Sequence, residues 1–182
     1  MGLNLLYCAA QVGLEAKIVE VEVSFTRALP SFSITGLAGN AIQESKQRVQ
    51  SSLLANNFKF PPLKINVNLS PSDIPKQGSF YDLPIALLIA LNGTCDLNEI
   101  TQQNTDSKPP KIFAFGELGL DGRIKDSPSI YPLLFSLLSK QSNSLFLLPK
   151  VAQEFYSKLP NLKAYYVDCL QDAIATLQNL PP

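Results

Sequence analysis

Histidine is absent from the 182 residues, tryptophan is absent too, and there is one methionine. Without histidine there is no imidazole base, no His-containing catalytic triad and no His-containing zinc site. Cysteine is scarce. Cys8, Cys95 and Cys169 make an odd number, and none sits in a C-x-x-C spacing. That argues against a disulfide framework and a zinc ribbon, and in favour of free thiols in a reducing compartment. Charge is low and balanced, with 15 Lys+Arg against 15 Asp+Glu. A chain of zero net charge does not grip nucleic acid by bulk attraction, although a local basic patch stays open. Long hydrophobic runs are missing: the stretch 83–91 is far too short to span a bilayer. The first ten residues also lack the basic start of a signal peptide. The expectation is a cytoplasmic, soluble protein with no metal, no cofactor and no membrane partner.

Apolar residues make up 46% of the chain, enough for a core, and the length points to one domain over residues 1–180. Residues 3–10 read as a first strand. Over 17–26, Val19, Val21, Val23 and Phe25 alternate with Glu20, Glu22, Ser24 and Thr26, the period of a half-buried strand. After a turn at 27–30, residues 31–35 alternate again, and the three strands are expected to form an antiparallel meander. A helix follows. Asn40 is its expected cap, with Gln43 as capping-box partner and Glu44 and Arg48 as an exposed i,i+4 pair. Residues 63–69 give a third clean alternation, and 70–79 are a loop by composition. Residues 82–92 suit a helix with Asp82 as N-cap and Pro84 in the first turn; its all-round apolarity makes it central and buried. Residues 93–110 read as a polar surface excursion. A strand at 112–117, a turn at Gly119–Gly122 and a return at 123–124 suggest a hairpin. Helices over 128–140, 150–157 and 170–179 then alternate with strands over 144–148 and 163–167, so part of the sheet should be parallel.

Candidate chemistry is thin. No G-x-x-x-x-G-K-[ST] string occurs in these residues, and Gly36-Leu37-Ala38-Gly39 reads best as a strand-to-helix turn. Without histidine, the usual activated nucleophile is a serine with a desolvated lysine. Ser79 and Lys76 are the one placement that suits such a pair. A carboxylate pair could come from Asp73, Asp82 and Glu117. For nucleic acid, the cations to consider are Lys46, Arg48 and Lys76.

Three stretches resemble one family. They are Gly36-Leu37 through Glu44-Ser45-Lys46-Gln47-Arg48-Val49; residues 65–78 (INVNLSPSDIPKQG) with 82–87 (DLPIAL); and residues 115–122 (FGELGLDG). Together they are similar to the N-terminal domain of the ComM/YifB proteins, magnesium-chelatase-like AAA+ ATPases linked to bacterial competence. The resemblance runs over nearly the whole chain. It implies an α/β fold of the ribosomal protein S5 domain 2-like type, close to the Lon protease proteolytic domain, with a mixed sheet and packed helices. It also implies that Asp73, Pro75, Gly78, Asp82, Gly116, Glu117 and Gly122 are structural motif residues. The partners it implies are an AAA+ module, which these residues do not contain, a ring oligomer, and DNA, for which Lys46, Arg48 and Lys76 are the candidate local patch.

The likeness to Lon makes a peptidase testable on paper. Matching the helix after Pro75-Lys76-Gln77-Gly78 puts Asp82 at the nucleophile position, and counting on from Gly122 puts Tyr131 at the lysine position. Lys125 and Lys140 are out of register. An aspartate and a tyrosine do not replace a hydroxyl and its amine base, so no catalytic residue is expected. Prolines at 128 and 132 depart from the family's pattern beyond the hairpin.

Overall fold

The computed structural model describes residues 5–92, 110–140 and 143–180. The polar stretch 93–109 lies outside the described residues. Strands β1 (Leu5–Val12) and β2 (Glu15–Thr26) form a tight hairpin. Then come β3 (Ser31–Thr35), α1 (Asn40–Ala55), β4 (Lys64–Ser70) and α2 (Asp82–Ala90). The second half holds β5 (Lys111–Ala114), β6 (Glu117–Leu118), β7 (Ile124–Lys125), α3 (Ile130–Leu138) and β8 (Ser144–Pro149). A 3-10 turn (Lys150–Ala152), α4 (Gln153–Tyr156), β9 (Ala164–Val167) and α5 (Leu170–Gln178) complete it.

Seven strands make one sheet in the order β3-β4-β2-β1-β5-β8-β9. Within this sheet, among the described residues, only β1–β2 and β2–β4 are antiparallel; the other four pairings are parallel. The expected meander is therefore corrected. β3 does not pair with β2, because β4 inserts between them and takes β3 in parallel register, Phe32 opposite Ile65 and Ile34 opposite Val67. The alternating pattern assigns each residue to a face but says nothing of which strand lies alongside. The parallel second half agrees with the strand–helix alternation of the sequence.

The face carrying Val19, Val21, Val23, Ile65, Val67 and Leu69 is buried, while Glu22 and Ser24 on the opposite face are exposed. Helix α2 is buried from Asp82 through Ile89 and packs against α1, α5 and the β1–β2 hairpin, as its apolarity on all sides requires. Helix α3 instead packs on the hairpin, where the Ala16 amide donates to Ser136 Oγ at 2.8 Å. The strand expected over 112–117 is two short strands. The chain breaks at Gly116, where an added Cβ would lie 2.8 Å from Ile124 Cγ2, and β6 and β7 pair with each other in a small separate sheet. No helix among the described residues is long and apolar enough to cross a membrane.

Two expected helix starts need correction. Gly39, not Asn40, caps α1, with no side-chain cap bond, and the Gln43 amide donates to Ile34 O on the edge strand instead of closing a capping box. Tyr81 occupies the cap position of α2, and Asp82 is already the first helical residue. Its carboxylate has other partners.

Candidate functional site

Asp82 lies fully buried where α1, α2 and the β6–β7 hairpin meet. Arg48 grips it with both ends of its fork, Nε to Oδ2 at 2.6 Å and a terminal nitrogen to Oδ1 at 3.1 Å. The same terminal nitrogen reaches Ala41 O at 2.8 Å. On the opposite flank the Leu118 amide donates to Asp82 Oδ2 at 3.1 Å. One carboxylate thus ties three elements together. Bidentate, charge-assisted bonding of this kind both positions and stabilises. Glu44, an i,i+4 neighbour of Arg48, adds a looser contact at 3.8 Å. Close by, Ser79 donates to Glu117 Oε2.

The start of α2 is held by backbone as well: Leu83 N donates to Gly116 O and Gly116 N to Phe80 O, both at 3.0 Å. The far side of the hairpin docks through Gly122, whose carbonyl accepts from Leu170 N at 2.8 Å. Gly122 has φ +91, and a Cβ there would fall 2.2 Å from the Asn56 side chain, which itself bonds Asp121 O. A glycine is needed at this crossing of α1, hairpin and α5.

Burial pushes the Asp82 carboxyl up to about 6, against the opposing pull of Arg48 and the Leu118 amide. Asp82 in turn holds the Arg48 guanidinium above its ordinary value. A raised folded-state carboxyl keeps its proton between about pH 4 and 6, where the unfolded chain has lost it, so Asp82's contribution to stability falls as pH climbs through that window. Wild type should therefore lose ground to the non-titrating Asp82→Asn between pH 4 and 6 in urea melts. A wild type that gains on the variant over that range would show that Arg48, not burial, sets this carboxyl.

Lys76 is the second buried charge. Its ammonium donates to Gly36 O at 2.8 Å and to Pro71 O. Its backbone accepts from Gly39 N and donates to Leu37 O. The loop after β4 is thereby stitched to the turn that opens α1. Burial pulls the Lys76 ammonium below the ordinary lysine range, with exposed Asp73 opposing.

The three expected DNA-contacting cations are not brought together on one open surface. Lys76 is buried with its ammonium on two carbonyls, Arg48 is spent on Asp82 with its side chain 19% exposed, and Lys46 is half-buried. The proposed Ser79–Lys76 pair is not assembled: the hydroxyl goes to Glu117 and the ammonium to two carbonyls. Tyr131 stands on α3, 41% exposed, its ring 6.3 Å from Tyr156. Of the motif residues, Asp82, Gly116, Glu117 and Gly122 gather at the brace, whereas Asp73 and Pro75 are exposed on the loop and Gly78 sits there at φ +103. Composition and spacing did not reveal the Arg48–Asp82 pair, although both residues lie within the family-like stretches. No group of acidic, cysteine or histidine side chains fit to hold a metal occurs among the described residues.

Fold and site together define a mixed α/β domain whose charged centre is a brace between helices and hairpin. The family model described as "Subunit ChlI of Mg-chelatase" matches residues 21–152, and the chain belongs to that family. The competence protein ComM of Haemophilus influenzae is 30% identical over 179 residues, which is 97% of this chain and 33% of the relative. The uncharacterised protein YifB of Escherichia coli is 32% identical over 128 residues, 70% of this chain and 24% of the relative. The chain therefore spans a third or less of these relatives' length.

Proposed function

We propose that this chain acts as a non-catalytic N-terminal domain of a ComM-like AAA+ ATPase, with an S5 domain 2-like, Lon-like fold. It serves assembly and partner engagement in DNA processing during natural transformation. What supports the reading is the brace. The position that resembles a Lon-type nucleophile is a buried aspartate with both oxygens occupied by Arg48 and one of them shared with the Leu118 amide. Such a group orders the meeting of three elements and offers no free nucleophile. Likeness to ComM supplies the competence context.

The test is an activity panel on the isolated chain. Casein and ATP should both go unhydrolysed. Casein turnover abolished by Ser79→Ala would replace this reading with a Ser–Lys peptidase. The same preparation tests DNA engagement through Lys46, Arg48 and Lys76. Arg48 and Lys76 are committed to a carboxylate and to two carbonyls, so Lys46→Ala should reduce the log–log salt slope of single-stranded DNA binding by no more than about 1. A wild-type slope of about −2 to −3 would restore Lys46, Arg48 and Lys76 as a DNA-contacting patch.

A further inference from the structure

A cleft of about 430 Å³ opens between the β1–β2 turn, the loop before α2 and the start of α3. It lies apart from Asp82 and Arg48, and meets the backbone bonds around them only at Phe80. Its floor is apolar, made by Phe80 and Leu133, both almost wholly buried. Gly78 lets the loop lie against that floor, since a Cβ there would meet the Phe80 ring at 2.5 Å. The walls are polar but uncharged, lined by Gln11, by Ser129 and by Gln77, whose carboxamide packs over Gly39. Gln11 gives its amide to Gly13 O at 3.1 Å, which leaves its carbonyl oxygen as an acceptor. Ser129 precedes α3 without making a cap bond. At the rim, Val12 and Leu14 flank Gly13, and Leu14 is 97% exposed.

The volume falls within the range of ligand sites, and an apolar floor with a few polar groups above it is their usual make-up. None of the described residues lining the cleft is charged. A phosphate or nucleotide would enter without a cation to meet it, at a desolvation cost that nothing offsets. Carboxamides and a hydroxyl, each able to donate and accept, match the alternating N–H and C=O of a peptide. The exposed aliphatic rim favours a polypeptide over a sugar.

We propose that this cleft binds an extended, uncharged polypeptide segment, seating one apolar side chain on Phe80 and Leu133 beneath the polar groups of Gln11, Gln77 and Ser129. The proposal is independent of the role assigned to the brace. It is tested by titrating the isotope-labelled chain with a short blocked glycine–serine peptide carrying one central leucine, and reading amide shifts around the cleft by NMR. Saturable shifts at the Gln11 and Gln77 side-chain amides and at Ser129 are expected. The same peptide with a central glutamate should bind about tenfold more weakly. Ser129→Trp, an exposed position where a bulky ring would fill the opening, should abolish the shifts while the remaining spectrum stays native. Gln77→Glu, which changes no volume, should weaken binding by about tenfold and serves if the tryptophan variant misfolds. The proposal is overturned if wild type shows no saturable shifts, if both variants bind as well as wild type, or if AMP shifts the same residues and the leucine peptide does not.

Discussion

Arg48→Ala is expected to lower the unfolding free energy by about 3 kcal/mol, the low end for breaking a buried ion pair. It strands the Asp82 carboxylate at zero exposure with the Leu118 amide as its remaining partner. Asp82→Ala should cost less, about 1–2 kcal/mol. Arg48 already reaches solvent and keeps Ala41 O, so its charge can be rehydrated. The asymmetry is the informative part, because an exposed ion pair would give two equal and small losses. It should also shrink with acid. Near pH 5 Asp82 takes up a proton, and a neutral carboxyl has less need of the guanidinium. Urea melts of both variants at pH 5 and pH 7.5 decide the matter. Losses below 1 kcal/mol for both would mean that the brace is screened by solvent.

Gly36→Ala should be comparably harmful, at about 3 kcal/mol or more. Gly36 has φ +97, and the new Cβ would be placed 2.0 Å from Leu69 O. Leu69 belongs to β4 and pairs with Val21 in the antiparallel ladder with β2, so it cannot retreat without loosening that ladder. Gly36 O is also an anchor for the buried Lys76 ammonium, so displacement there disturbs both loops. Gly13→Ala is the control. Its φ is +62 but nothing lies within 4 Å of the added carbon, so only the backbone term remains, about 1 kcal/mol. Equal losses at the two glycines would show that the clash at Gly36 is relieved by local movement.

Strand alternation was legible wherever one face is buried. The stretches read at 17–26, 31–35 and 63–69 became β2, β3 and β4. Pairing was not legible, because β4 reaches its place between β2 and β3 through a long connection that no local pattern encodes. The helix starts misled for a related reason. Asn40 and Asp82 have the chemistry of caps, but Asp82 had a stronger partner in Arg48, 34 residues away in sequence. The cationic residues were read by charge alone. Lys76 and Arg48 are committed to carbonyls and a carboxylate, and only the folded chain discloses such commitments. The family-like stretches did mark Asp82, Gly116, Glu117 and Gly122 as structural, and these four meet at the brace. Their common purpose emerged only when α1, α2 and the hairpin were seen to converge.

The placement of β4 also sets a timetable during synthesis. The β1–β2 hairpin can form as soon as it leaves the ribosome, yet the other edge of β2 waits for Lys64–Ser70. About 40 residues separate the two, roughly 2–8 s of elongation. Throughout that interval β2 presents an unpaired edge to every neighbouring nascent chain. Glu20 and Glu22 lie on that strand, opposite Ser70 and Asn68 in the finished ladder. Two like charges within three residues would repel a second copy of β2 laid alongside in parallel register, yet tolerate the uncharged side chains of β4. By this argument replacing Glu20 and Glu22 with uncharged residues should lower soluble yield during expression more than it shifts the melting curve of the purified chain.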